Sequence, residues 1–468
     1  MKCQFRITGF TKEITYSLII LTTYIVGGAG RAYLTFLFYQ LDFPDSRFKL
    51  DADQKTWIAS SLGILSPVGS VCSGVIMDFC GRKIYLLITF IPFIISWIII
   101  SFAASFEMLF VGMLILGFGI GVSFCVSTYI SEISVPKNRG ALLGLTEVAY
   151  NVGVTVCSFL LYNIVWHEAA IVFAVLSIIF MFSTLLLPES PVWLYSRGKR
   201  EKSVKILSSL RCSKVENITD EIKDMEKNCE EERKTSCGET LKNITRAWKP
   251  FLITIVLFAF LQHTGYSIMV AYTIMIFDRL ELPLESTKIT IMYSAVGFIG
   301  SVATPFFMHR MGRKTVLGLS SFCMGACVIV VGVYEEIFYH QNEKLFAYIV
   351  PIAFYVYTLA CNIGVLPISF MIGGELFPNE VRGTMNGLYG VFAYAYWALT
   401  LKFYPKFMNF YGIKITMWVF AISCFIVSLF AAFILPETHG KTLNEVQEQY
   451  FKKKKKPSRS TEEQLECT

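Results

Sequence analysis

Twelve stretches of this chain are apolar and poor in charge: 14–36, 57–77, 84–105, 108–131, 142–163, 167–187, 250–277, 287–308, 315–334, 345–371, 385–408 and 413–435. A helix needs about 20 such residues to cross the hydrocarbon core of a bilayer. The runs are continuous instead of alternating, which excludes a membrane β-barrel. The pattern predicts an all-α membrane protein with twelve transmembrane helices. The first run is too long for a signal-peptide core and has no small-residue cleavage site, so it is read as a retained span entered from the cytoplasm. Polar residues fill 197–249, between the sixth and seventh runs. Within them Val204, Leu207 and Leu210, then Ile218, Ile222 and Met225, recur at helical spacing. That spacing predicts amphipathic helices lying at the membrane surface. The expected units are a first six-helix bundle (1–187), a linker (188–249), a second six-helix bundle (250–435) and a tail (436–468). An even number of spans puts both ends of the chain on one side.

Composition sharpens this picture. The chain is 54% hydrophobic and 16% charged, with a mean hydropathy of +0.54; a soluble domain carries about 25% charged residues. Secreted disulfide domains, disordered chains and nucleic-acid-binding folds are excluded as classes. The net charge is +7, and the basic residues crowd into 197–249 and 441–459, the pattern of cytoplasmic segments. Both termini are therefore expected in the cytoplasm, with the chain multi-pass in the plasma membrane. The lysines of 452–456 can attract anionic lipid at about 1 kcal/mol per charge, or form a solvated tail. The 13 cysteines lie in apolar runs or basic segments and read as reduced thiols. No metal-ligand spacing and no nucleophile–base–acid arrangement is legible, so neither cofactor nor enzyme activity is expected. The sequons at Asn217 and Asn243 fall in the linker and should stay unmodified. Gly117, Gly119 and Gly121 lie in an apolar span with no strand before them, so they read as close helix contacts and not as a nucleotide loop. A monomer is the default unit.

Three landmarks recur in the same order. Gly81-Arg82-Lys83 returns as Gly312-Arg313-Lys314, 231 residues on. Glu132-x6-Arg139-Gly140 returns as Glu375-x6-Arg382-Gly383, 243 residues on. Pro188-Glu189-Ser190 returns as Pro436-Glu437-Thr438, 248 residues on. Parallel six-span repeats with a site at their interface are one transporter construction.

These motifs resemble the sugar porter family of the major facilitator superfamily, over nearly the whole chain. Gly74-x3-Asp78-x2-Gly81-Arg82-Lys83 resembles its loop signature after span two. Pro188-Glu189-Ser190-Pro191-x-Trp193-Leu194 and Pro436-Glu437-Thr438-x-Gly440-Lys441 resemble its motifs after spans six and twelve. Val192, Trp57-Ile58-Ala59-Ser60-Ser61-Leu62 and Lys402 are most similar to the insect facilitated trehalose transporters. The resemblance implies the major facilitator fold and alternating access. Its charged positions sit at cytoplasmic span ends: Asp78, Arg82, Glu132, Arg139 and Glu189 in the first half; Arg313, Glu375, Arg382 and Glu437 in the second. They are read as an ion-pair lattice joining the cytoplasmic ends, with topology-fixing charges as the plainer alternative. Three positions depart from the family: Met113 and Val192 stand where it carries Arg, and His309 where it carries an acid. His309 offers a titratable group or is simply a solvated loop residue.

For the substrate path, Leu261-Gln262-His263-Thr264-Gly265-Tyr266-Ser267 resembles the family's Gln-Gln-x-Ser-Gly-x-Asn. Gly364-x2-Pro367-x-Ser369-Phe370 resembles its Gly-x-x-Pro-x-Pro-Trp, and Tyr394 falls near its Asn-Trp pair. The candidate substrate set is Glu147, Asn151, Gln262, Thr264, Ser267, Tyr272, Asn362, Phe370 and Tyr394. For each aromatic, helix packing is the plainer role. Two charges lie within spans, Glu147 and Arg31, and such charges are costly enough to suggest function. Glu147 either meets substrate hydroxyls or pairs with Arg31, and Arg31 alternatively snorkels to the outer interface. Span one carries no carboxylate, which favours facilitated diffusion of trehalose or a hexose over proton coupling. A non-sugar solute, or a non-transporting sugar sensor on the same fold, are the other readings.

Overall fold

A backbone inside lipid has to satisfy its own hydrogen bonds, so the apolar runs become helices. The computed structural model describes residues 9–213, 218–234, 244–245, 247–282, 284–338, 348–377 and 381–437. Spans one to six are Gly9–Leu41, Ala52–Cys80, Arg82–Ser101, Phe106–Ile133, Pro136–Asn163 and Trp166–Leu186. Spans seven to ten are Trp248–Arg279, Ser286–Arg310, Arg313–Ile337 and Ile349–Gly373. The last helix, Arg382–Phe433, has 52 residues. At 1.5 Å per residue that is about 78 Å, more than twice a hydrocarbon core. It breaks at Gly412, where φ is 84° and ψ is 167°, a region essentially closed to residues with a Cβ. Spans eleven (382–411) and twelve (413–433) result, completing twelve helices in two six-helix bundles.

Small residues set how closely the helices approach. A Cβ on Gly117 would lie 2.3 Å from the Leu62 carbonyl oxygen, and one on Gly121 would lie 2.1 Å from that of Ser66. Spans two and four therefore touch backbone to backbone, the role expected for the glycine run. Met113, where a cation was expected from the family pattern, is fully buried in the apolar core of the first half.

The linker forms the helices Pro191–Ser196, Arg200–Arg211 and Thr219–Lys234. Leu207, Ile218 and Met225 pack together with Val192 and Ile222, so the apolar stripe is covered by protein instead of lipid. Val192 contributes an apolar contact here where the family pattern has a cation. The helix Arg200–Arg211 docks on the first half: Arg211 donates to Glu13 at 2.7 Å and to the Ile133 carbonyl at 2.8 Å. Lys12 donates to the Ser209 carbonyl at 2.7 Å. Span one is thus longer than its apolar run and does contain a carboxylate, Glu13, buried and ion-paired at the linker end. The docked linker defines one rim of the molecule, the linker rim; the other is the opposite rim.

Candidate functional site

The second half is irregular where the two halves meet. Span seven breaks at Gly265, with φ 92°. A Cβ there would lie 2.4 Å from the Phe420 ring, so both backbone and packing require glycine. The break frees carbonyls, and the Tyr357 hydroxyl donates to that of Thr264 at 2.9 Å. Span seven bends again at Tyr272, whose φ and ψ (−128°, 21°) are not helical. Span ten carries a π-turn over Cys361–Val365, and such turns are frequent at functional sites. Gln262 and Asn362 sit on these two breaks, each only 2% exposed.

Several buried side-chain polar atoms find no hydrogen-bond partner among the described residues, among them four from both halves: Gln262 Oε1, Asn362 Oδ1, the Tyr150 hydroxyl and Trp397 Nε1. An orphaned buried donor or acceptor costs about 1–3 kcal/mol, and native structures leave few of them. Tyr150 and Trp397 meet at Arg31, whose guanidinium carbon lies 5.3 Å and 4.3 Å from their ring centroids. Asn151 of span five and Asn362 of span ten converge on Gly297 of span eight, where an added Cβ would lie 3.5 Å and 3.3 Å from their amide atoms. Asn151 Nδ2 also donates to the Glu147 carbonyl at 3.0 Å.

Arg31 stacks on an aromatic ring of the other half; it makes no close ion pair with Glu147, although its charge acts on that carboxylate. Glu147 is half-buried on the same side of the cleft. Tyr394 is half-buried, edge-on to Phe124 of span four at 6.1 Å. Ser267 is buried beside the break. Thr264 bonds back to the Leu261 carbonyl, which makes it part of the break. Phe370 packs edge-on against Phe258 at 5.6 Å within its own half. Trp397 was missed in the sequence, although it lies three residues after Tyr394 and shares its helix face.

The opposite rim is drawn together. Tyr272 stacks on Phe38 of span one, centroids 5.7 Å apart, and donates to the Leu401 carbonyl at 3.2 Å. Ile274 N donates to Thr35 Oγ1 at 3.1 Å. Tyr272 thus sits in the contact that joins the halves at this rim. Charges cross between the halves here as well. Asp53 accepts from Lys402 at 3.2 Å and from Lys406 at 2.6 Å. Lys402 also donates to Thr56 at 2.9 Å and caps the Trp57 ring at 3.8 Å.

At the linker rim the repeated motifs build the same cluster twice. In the first half Arg82 holds Glu132 bidentately, at 2.7 Å and 2.9 Å, and its backbone N donates to Glu189 at 2.8 Å. In the second, Arg313 pairs with Glu375 at 3.1 Å and its backbone N donates to Glu437 at 3.0 Å. Asp78 reaches Arg82 at 3.5 Å. The printed pairs of each cluster knit helix ends within one half. Arg139 and His309 are exposed. Arg382 opens the last helix, its side chain outside the described residues, as are Thr438 and the lysines of 452–456.

Two six-helix halves around a polar cleft, shut at one rim, define a multi-pass membrane transporter of the alternating-access type. The family model for sugar (and other) transporters matches residues 9–450, and the chain belongs to that family. The facilitated trehalose transporter Tret1 of Polypedilum vanderplanki is 29% identical over 408 residues, 86% of this chain and 80% of that one. Its namesake from Apis mellifera ligustica is 27% identical over 445 residues, 94% of this chain and 88% of that one. Among solved structures, the proton:xylose symporter XylE, bound to 6-bromo-6-deoxy-D-glucose, shares the fold. Its TM-score is 0.78 at 19% identity, covering 94% of this chain and 100% of that chain.

Proposed function

We propose that this chain is a plasma-membrane facilitative carrier for a neutral sugar, trehalose first and a hexose second. The sugar would bind in the central cleft. The observation that carries this reading is the set of unpartnered polar atoms on both halves, Gln262, Asn362, Tyr150 and Trp397. Sugar hydroxyls can donate to the two amide oxygens and accept from the indole N–H, while the half-buried Tyr394 ring offers an apolar face. Arg31 and Glu147 add one donor group and one acceptor group of opposite charge.

The moving units are the two halves, 1–187 and 250–435, joined by the linker 188–249 and followed by the tail 436–468. The basic composition of the linker supports a cytoplasmic linker rim with both termini inside. The opposite rim is then extracellular, and the conformation is outside-shut. Glu13 is taken up by Arg211 far from the cleft, which supports uniport.

Uptake of labelled trehalose, hexoses and polyols into cells lacking endogenous carriers tests the proposal. Saturable flux that Gln262→Ala abolishes supports it. Surface-expressed protein with no flux for any sugar overturns it and leaves a sensor; flux of a non-sugar solute alone reassigns the substrate.

A further inference from the structure

A second cavity, of about 240 Å³, opens at the opposite rim between spans one, two and seven. Its floor is the Phe38–Tyr272 stack, so the shut gate divides it from the central cleft. Tyr39, Asp42, Lys55, Met275, Asp278 and Arg279 line it above that floor. We propose that this cavity is an outer binding site for one ring of a neutral polyhydroxylated solute, held while the gate is shut; the proposal rests on reading the chain as a sugar carrier.

Charge selects the ligand class. Two carboxylates and two cations line the wall, so their fields offset and favour neither an anion nor a cation. Asp42 accepts from Lys55 at 2.6 Å and 2.7 Å. A carboxylate has about four acceptor positions, and two remain. The Asp278 side chain makes no hydrogen bond or ion pair among the described residues, and the residue is exposed. Arg279 is held by Asn409, which fixes its remaining donors. Charged partners of fixed position bind hydroxyls more strongly than neutral ones do, and the Phe38 and Tyr39 rings supply apolar faces. Size selects further. At about 240 Å³ the cavity has room for one sugar ring. A disaccharide would enter with one ring seated and the other in solvent.

The experiment uses the full chain in intact cells, with Met275→Cys as reporter and a membrane-impermeant maleimide outside. Tyr39→Cys, from the other half, is the second reporter if the first fails to reach the surface. The unaltered chain gives the labelling background. Glucose or trehalose at about ten times its Kd leaves about one site in eleven free, so labelling should slow about tenfold. Gluconate and glucosamine should protect far less. Protection should persist in Gln262→Ala and be lost in Asp278→Ala. Undiminished labelling in glucose, equal protection by gluconate, or protection that disappears in Gln262→Ala would each overturn the proposal. Protection without flux through the unaltered chain keeps the outer site and removes the transport reading; flux without protection does the reverse.

Discussion

Arg31 and Arg82 show how far a membrane arginine's role depends on its neighbours. Arg82 has a bidentate carboxylate, with both side chains about one-tenth exposed (10% and 11%). Removing one partner of such a buried pair costs about 3–5 kcal/mol, because the other charge stays behind. Glu132→Gln should therefore lower the thermal unfolding temperature in detergent markedly. Glu375→Gln should lower it less, since Arg313 and Glu375 are 24% and 21% exposed. Equal shifts would contradict this ranking. Arg31 instead faces the Trp397 ring, a contact worth about 0.5–2 kcal/mol. A double-mutant cycle on kcat/KM with Arg31→Gln and Trp397→Leu should give a coupling in that range, whereas additive losses would show that the stack does not couple the halves. Arg31 was legible in the sequence as a buried charge but its partner was not. A cation's obvious partner is an anion, and only the fold brings span eleven over span one.

Among the elements, the regular helices were legible and the breaks were not. Apolar run length fixes a span. Yet the turn at Gly265 depends on Phe420, 155 positions away (265 to 420), and the π-turn Cys361–Val365 has no local signature. Span one also extends past its apolar run to Glu13, because Arg211 of the linker neutralises that carboxylate. At Gly265 the two costs can be separated. Gly265→Ala should lose flux and stability, with the positive φ alone costing about 1–3 kcal/mol. Adding Phe420→Ala removes the clash but leaves the backbone strain, so melting should recover in part. Full recovery would mean that the backbone there does not need glycine.

For the whole molecule, the repeat foretold two equivalent halves, and the matched Arg82 and Arg313 clusters realise it. What the repeat could not tell was which charges cross between halves. They do so at the opposite rim, through Asp53, Lys402 and Lys406. Each pair is partly exposed and worth about 0–1 kcal/mol, enough to bias an equilibrium without locking it. Lys402→Ala with Lys406→Ala should therefore shift the carrier toward states open at the opposite rim by up to about thirtyfold, read as faster labelling of Thr35→Cys from that side. Unchanged labelling would show that the aromatic gate alone holds the rim.

Distances between spin labels test the rocking of the halves most directly. One pair would sit at Phe43 and Leu284 on the opposite rim, the other at Lys137 and His309 on the linker rim, all exposed. As saturating trehalose or glucose, or the two lysine substitutions, redistributes the conformations, one distance should lengthen while the other shortens. Two distances that stay fixed, or that change in the same direction, would contradict alternating access through the central cleft.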